Sequence, residues 1–243
     1  MKTTKIFRIV LLVAMAFNMI FLTSCDKRIR KNGSGVVTSN TRNISEFDEV
    51  DVEGSYELFI HNDDEHKVVV ETDDNIQEEV QTFVQNGILH VEMSDDYMNY
   101  HYTRMEVHIY GNQFSLLDLH GSVNATSVDT IQATNFELRH NGSGHSNVTL
   151  ASQDVRLSIN GSGRIEANGQ ADNCTLVING SGKIDALDLP VLNARGEIHG
   201  SGDLFLNASE TLDAVIDGSG DIRYLGSPTV NSQISGSGSI SPY

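Results

Sequence analysis

The chain has 243 residues and is strongly acidic, with 33 Asp and Glu against 16 Lys and Arg and a net charge of −17. Such a charge repels phosphate groups, so nucleic acid and anionic lipid surfaces are not expected as partners. Aromatic residues make up 7% and tryptophan is absent, and the apolar residues (mainly Val, Ile, Leu and Ala) suit thin repeated layers better than one globular core.

The N-terminus has the pattern of an export signal. Lys2, Lys5 and Arg8 precede an apolar stretch over residues 9–22. This stretch is shorter than the roughly 20 residues that a membrane-spanning helix needs. Small residues follow it, as they do before the cleavage site of a signal peptide. We therefore predict a signal peptide over residues 1–24.

The signal ends in Leu22-Thr23-Ser24-Cys25, which resembles a bacterial lipobox. In a lipobox the cysteine is acylated, with chains such as palmitate, and becomes the first mature residue. Lipidation of Cys25 would exceed the two anchors that stable membrane residence requires. A plain secretory signal with a chance cysteine is the alternative. The prediction is an exported lipoprotein of the cell envelope, at the outer membrane or cell surface.

Cleavage before Cys25 would remove three basic residues and lower the net charge to −20. Residues 25–43 are polar and rich in Gly, Ser, Thr and Asn, which predicts the lipidated cysteine followed by a flexible tether. Residues 44–112 alternate apolar and polar side chains, with a hairpin turn at Asn86-Gly87. They are predicted to form an N-terminal β-rich cap segment.

Residues 113–243 carry a repeat. Gly-Ser-Gly, degenerate in its first copy, recurs every 18 to 21 residues, with its first glycine at Gly121, Gly142, Gly161, Gly180, Gly200, Gly218 and Gly236. Apolar residues stand two and four positions before most of these glycines and alternate again after them, which indicates strands with one buried face. A fixed period with matching columns is typical of a solenoid. The prediction is an all-β, right-handed parallel β-helix whose coils turn at Gly-Ser-Gly.

The columns also predict individual environments. Cys174 stands between Val155 and Ala194 in an inward column, so it is expected to be a buried, inert residue. Ile178 is expected to face inward and its neighbour Val177 outward. The recurring serine and asparagine at the corners are read as structural, because Asn and Gly tolerate positive φ and stacked amides can bond along a column.

The combined pattern resembles the putative autotransporter adhesin, head GIN domain family, over about residues 45–222. The resemblance rests on the serial Gly-Ser-Gly corners and on two segments, Phe47-Asp48-Glu49-Val50-Asp51-Val52-Glu53-Gly54-Ser55 and Gln85-Asn86-Gly87-Ile88-Leu89-His90-Val91. It implies a β-helical fold and a cell-surface setting in Bacteroides-like bacteria. It brings no catalytic residue to this chain.

These observations predict a surface-anchored, non-catalytic adhesion or binding module for a glycan or protein. The sequence leaves the binding residues open and predicts no catalytic residue, cofactor or metal site. One alternative is a polysaccharide lyase or hydrolase, although the outward residues Arg164, Lys183, Asp203 and Asp221 form a mixed-charge ladder and not a clustered acid and base. Another is a structural envelope module. The acidic residues of segment 63–79 leave a calcium site as a further alternative.

Overall fold

A computed structural model describes residues 30–243. The signal peptide and Cys25 lie outside this range. The described chain divides into two units, and the smaller contains residues up to Asn32 together with Asp95–His101. In it β1 (Lys31–Asn32) pairs in parallel with β8 (Tyr100–His101). None of the described residues belongs to a helix long and apolar enough to cross a membrane.

The larger unit, Gly33–Ser94 with Tyr102–Tyr243, is a parallel β-solenoid. Its strands form two sheets, here named A and B. In each coil the chain runs along a strand of sheet A, turns at the glycine corner and runs along a strand of sheet B. It then returns to sheet A on the side of the coil opposite the glycine corner, here named the turn edge. Sheet A contains, in spatial order, β7 (Ile88–Met93), β3 (Glu49–Gly54), β10 (Leu116–Gly121), β12 (Ile131–Gly142), β13 (His145–Gly161), β15 (Asn173–Gly180), β16 (Lys183–Gly200), β17 (Asp203–Gly218) and β19 (Thr229–Gly236).

Sheet B runs beside it. The strands β13, β16 and β17 bend around the turn edge and enter both sheets. The others, in spatial order, are β9 (Met105–Gly111), β4 (Glu57–Asn62), β11 (Asn124–Ser127), β14 (Arg164–Gln170), β18 (Asp221–Leu225) and β20 (Ser239–Pro242), with β13 between β11 and β14 and both β16 and β17 between β14 and β18. The predicted all-β parallel β-helix is confirmed, and its right-handedness stays a prediction.

The apolar columns that the sequence predicts are paired in register between neighbouring coils. Ile159 lies opposite Ile178, which lies opposite Ile198, and all three side chains are fully buried. The inner faces of the two sheets meet: a Cβ added to Gly196 of sheet A would lie 3.4 Å from Leu204 Cδ1 of sheet B. Each coil therefore buries its apolar face against the coils above and below it and against the opposite sheet.

The first glycine of each corner is required for two reasons, its backbone conformation and its close approach to the preceding coil. Gly180 has a φ of +134°, which L side chains rarely adopt. A Cβ at that position would also lie 2.3 Å from the carbonyl oxygen of Gly161 in the preceding coil. The equivalent distance from Gly142 to the oxygen of Gly121 is 1.8 Å. The repeat thus allows backbones to approach at the corner, where any side chain would block them.

The N-terminal region contains coils of its own. Gly54 pairs in register with Gly121, so the solenoid reaches into segment 44–112, which the sequence analysis assigned to a cap. The strands β3 and β4 pair on one side with β7 and β9 and on the other with β10 and β11. The first coil in space is therefore built from a later part of the chain.

Antiparallel strands close this end of the solenoid. They are β6 (Val80–Gln85) on β7, β5 (Lys67–Asp73) on β9, and β2 (Val37–Asn43) on β5. Residues 37–43, expected to be part of the flexible tether, thus form a strand. The Arg42 guanidinium holds this strand by donating hydrogen bonds to the backbone oxygens of Val80 and Gln77. The tether prediction missed this because β2 is polar and its side chains are mostly exposed.

His140 occupies an inward position that aliphatic residues take in neighbouring coils. It is 1% exposed, and its Nδ1 forms a 3.0 Å hydrogen bond with the buried Oγ of Ser146. Its Nε2 has no hydrogen-bond partner within residues 30–243. Burial, with a smaller contribution from His145, lowers the pKa of His140 from 6.5 to about 4. The imidazole is therefore neutral in the folded protein at physiological pH.

This histidine should make stability depend on pH. The unfolded chain binds the proton near pH 6.5 while the folded chain resists it down to about pH 4. The free energy of unfolding is therefore unaffected by this group above pH 6.5. It decreases as the pH falls from 6.5 to about 4, by up to about 3 kcal/mol. Urea unfolding of the wild type and of His140→Leu at pH 7.5 and pH 4.5 would measure it. We expect the drop between the two pH values to shrink in the variant, and an equal drop in both proteins would contradict the assignment.

Candidate binding groove

Several outward cations of the two sheets pair with carboxylates on their own strands. Arg164 lies 2.6 Å from Glu166, and Lys183 lies 3.1 Å from Asp185. Two members of the predicted mixed-charge ladder, Arg164 and Lys183, thus form partly exposed ion pairs, each of which contributes little to stability. A third, Asp221, accepts hydrogen bonds from Ser239. Phe205 is covered as well, because the Lys183 Nζ stands 4.2 Å from the centre of its ring.

Sequence reasoning missed a column of rings on the outer face of sheet B. Phe59 stacks on His108 with ring centres 4.7 Å apart, and His61 stacks on Tyr110 at 4.3 Å. The two imidazoles are linked by a 3.1 Å contact between His61 Nε2 and His108 Nδ1. Burial and the neighbouring His108 lower the pKa of His61. Stacking therefore occupies at least one face of each of these rings.

The acidic segment 63–79 engages donors of its own chain. Buried Asp73 accepts hydrogen bonds from the backbone nitrogens of Gly35 and Thr103, each at 2.6 Å, and from the Thr103 hydroxyl. Burial disfavours its charged form, but these bonds prevail and lower the pKa of Asp73. Within residues 30–243 no group of three or more His, Cys, Asp or Glu side chains is placed to hold a metal ion.

The glycine corners form a regular polar ridge. The serine side chains are exposed, and the asparagines before the glycines bond in sequence, Asn179 to Asn160 at 2.8 Å and Asn160 to Asn141 at 2.7 Å. The amides thus connect one coil to the next, as a structural column should.

The turn edge is irregular where coil length changes. Twenty residues separate Gly180 from Gly200, against eighteen between Gly200 and Gly218. Ala186 pairs with Leu206 of the next coil, but the following pair is Pro190 with Asn207. Residues 187–189 have no partner in that pairing and form a bulge. Bulges redirect side chains and are over-represented at sheet edges and next to active sites.

Beside the bulge lies a groove of about 440 Å³, hereafter the turn-edge groove. Its apolar part includes exposed Pro190 and Leu192, and Leu192 keeps 44% of its surface accessible. The full lining is Ser152, Gln170, Ala171, Asp172, Pro190, Val191, Leu192, Asn207 and Ser209. The spacing of the glycines shows in the sequence that this coil is longer than the next one. It does not show which side chains the additional residues expose.

Three polar groups of the turn-edge groove are open to a ligand. The side chains of Asp172 and Gln170 are exposed and form no hydrogen bond or ion pair within residues 30–243. Asn207 donates its Nδ2 to the Leu187 oxygen at 3.2 Å, which leaves its Oδ1 facing no protein donor in that range. A free carboxylate and amides around an apolar surface can fix the orientation of a polar ligand.

A second groove adjoins the first through the consecutive residues Asp172 and Asn173. Its lining includes Asp154, Arg156 and Thr175. Asn173 donates to Asp154 at 2.8 Å, and Arg156 lies 3.4 Å from Glu137. The charged groups of this second groove are thus already engaged.

Cys174 is placed as the columns predict. It is buried at 5% exposure, pairs in register with Val155 and Ala194, and burial raises the pKa of its thiol to about 12. A thiol that stays protonated and enclosed is a poor nucleophile. We expect a bulky maleimide to label Cys174 in denaturant and to leave it unlabelled in the native protein. Rapid native labelling of the Cys25→Ala variant, which has no other cysteine, would contradict the placement.

These features define a parallel β-solenoid with a structural glycine ridge and free polar groups at the irregular edge. The pattern of the family described as "Putative auto-transporter adhesin, head GIN domain" matches residues 46–228. The chain belongs to that family, as the resemblance in its sequence implied. No curated protein matches it.

Solved structures share the fold. A putative adhesin from Bacteroides fragilis is 22% identical with a TM-score of 0.84, covering 88% of this chain and 100% of its own. A putative lipid binding protein from Parabacteroides distasonis is 25% identical with a TM-score of 0.74, covering 88% and 99%. A putative adhesin from Parabacteroides merdae is 18% identical with a TM-score of 0.68, again covering 88% and 99%.

Proposed function

We propose that the protein is an exported lipoprotein, anchored through Cys25, that binds a glycan or protein at the turn-edge groove without catalysis. Membership of the adhesin family supports a binding role. The observation that carries the site is the set of unengaged polar groups on Gln170, Asp172 and Asn207 around exposed Leu192. Elsewhere on the sheets, ion pairs engage Arg164 and Lys183, and ring stacking engages His61.

The groove supports binding over glycoside hydrolysis. Hydrolysis generally needs two carboxyl groups that flank the scissile bond. Among the described residues that line the turn-edge groove, Asp172 supplies the single carboxylate. A lyase would need a basic residue there, and the same lining contains no Lys, Arg or His.

The anchor is tested by fractionation. Cys25→Ala should move the protein from the membrane to the soluble fraction, because the lipid is the proposed attachment. Cys174→Ala is the matched control and should stay in the membrane. If Cys25→Ala still partitioned into detergent after signal removal, lipidation could not be the anchor.

The site is tested with the mature chain carrying Cys25→Ala, which keeps the whole mature chain and removes the lipid. Its binding to an array of glycans and to collagen, fibronectin and laminin would be compared with that of Asp172→Ala and Leu192→Ala. Each groove variant should weaken binding about tenfold, while the corner variants Ser181→Ala and Asp203→Ala should not. Unchanged binding by folded groove variants would exclude the groove as the site.

A further inference from the structure

We infer that the turn-edge groove takes an uncharged glycan chain laid parallel to the solenoid axis. This inference rests on the proposed function and names the ligand of the same site. Its first support is electrostatic. The free charged group of the lining is the Asp172 carboxylate, and the described lining residues include no cation. An acidic ligand would meet like charge there, on a mature chain of net charge −20 once the three basic residues before Cys25 are removed.

The second support is hydrogen-bond chemistry. The Asp172 carboxylate and Asn207 Oδ1 accept hydrogen bonds, and the Gln170 amide can both donate and accept. Sugar hydroxyls supply donors and acceptors side by side, so they match this set. Pro190 and Leu192 add an apolar surface against which the C–H face of a sugar ring can pack.

The backbone of the turn edge argues against an extended peptide. A peptide that adds a strand to a sheet needs free main-chain donors and acceptors at an edge. Here the Asp172 nitrogen donates to the Gln153 oxygen at 3.0 Å, and the Leu192 nitrogen donates to the Asp172 oxygen at 2.9 Å. The coils thus use these main-chain groups to bond to one another, and recognition falls to the side chains.

The third support is the direction of the groove. Ser152, Asp172, Leu192 and Ser209 line it from four successive coils. Strands stack about 4.8 Å apart, so these residues span about 14 Å along the axis. The second groove continues beyond Asn173 on the side of the earlier coils. The site is longer than one sugar ring, so a chain of several rings should bind more tightly than its monomer.

Affinity electrophoresis tests this with the mature chain carrying Cys25→Ala. The probes are the neutral polysaccharides dextran, mannan, galactan and xyloglucan, and the acidic polysaccharides polygalacturonate, alginate and heparin. We expect retardation by at least one neutral polymer, equal at low and high salt because no ion pair forms. Asp172→Asn and Leu192→Ala should each weaken it about tenfold, and Ser181→Ala should leave it unchanged. Oligomers of the retarding polymer should compete better than its monosaccharide.

Several results would overturn the inference. Retardation by acidic polymers that weakens with salt would show an anionic ligand, and full competition by the monosaccharide would exclude an extended site. If no polysaccharide retarded the protein while Asp172→Ala lost binding to an arrayed protein, the glycan inference would be wrong and the proposed function would stand. If retardation persisted in both folded groove variants, the glycan would bind elsewhere, and the proposed site and this inference would fall together.

Discussion

Gly180→Ala is expected to destabilise the solenoid by about 3–5 kcal/mol, among the largest effects of any single substitution in this chain. The new Cβ would lie 2.3 Å from the Gly161 oxygen, and the residue would keep a φ of +134°. The clash is with backbone, so no side-chain rotation can relieve it. The two coils would have to separate, with loss of the hydrogen bond from the Ser181 nitrogen to the same oxygen at 2.9 Å.

The neighbouring residue supplies the control. The Ser181 side chain is exposed, so Ser181→Ala should change stability by less than about 0.5 kcal/mol. Thermal and urea unfolding of the two variants would compare them directly. If Gly180→Ala melted with the wild type, the corner would have to be looser than the structure shows.

Ile178→Asp is expected to cost several kcal/mol or to force the new carboxylate into its neutral form. Ile178 is fully buried between Ile159 and Ile198, where an aspartate would find no charged partner in its column. A charge in such a place is strongly disfavoured. Urea unfolding at neutral pH and near pH 4 would reveal the penalty, which should shrink as the carboxyl group becomes protonated.

For Val177→Asp, the structure changes the loss of stability that the sequence predicts. Alternation places Val177 on the outer face and predicts a cost below 1 kcal/mol, but the side chain is 6% exposed. It lies opposite Ser158 and Glu197 in the flanking strands. A new carboxylate would be partly buried and opposite a like charge, so we now expect about 1–3 kcal/mol. Ser201→Asp, on the exposed corner, should be nearly neutral. If Val177→Asp destabilised the protein as little as the control, Val177 would have to be exposed on the outer face, as the sequence predicts.

The repetitive part of the fold could be predicted from the sequence because equivalent positions can be aligned between copies of the repeat. Ile159, Ile178 and Ile198 stand at matching distances from glycines, so their columns could be aligned without knowledge of the coil. Val177 shows the limit of that approach. Alternation determines which face a side chain takes, whereas its coverage depends on the lengths and directions of neighbouring side chains.

The cap and the groove depend on departures from the repeat. The strand at residues 37–43 is polar and exposed, and main-chain bonds to β5 hold it, so no hydrophobic pattern marks it. The groove arises because residues 187–189 bulge while Pro190 returns to register. A two-residue difference in coil length is visible in the sequence, but its location along the coil depends on which pairs the backbone keeps. The candidate binding residues Gln170, Asp172 and Asn207 were therefore not identified.

The placement of β3 and β4 between later strands has a consequence for the timing of folding. From residue 131 onward, each strand finds its partner within about one coil of the chain, so coils can close one after another as they emerge. By contrast, β4 pairs with β9 and β11, the second of which ends at Ser127. If the protein is exported N-terminus first, as proposed, residues 57–62 complete their pairing only after more than sixty later residues have crossed the membrane. The strands β3 and β4 thus complete their pairing later than the coils that follow them, and their open edges must be kept from other chains during that interval.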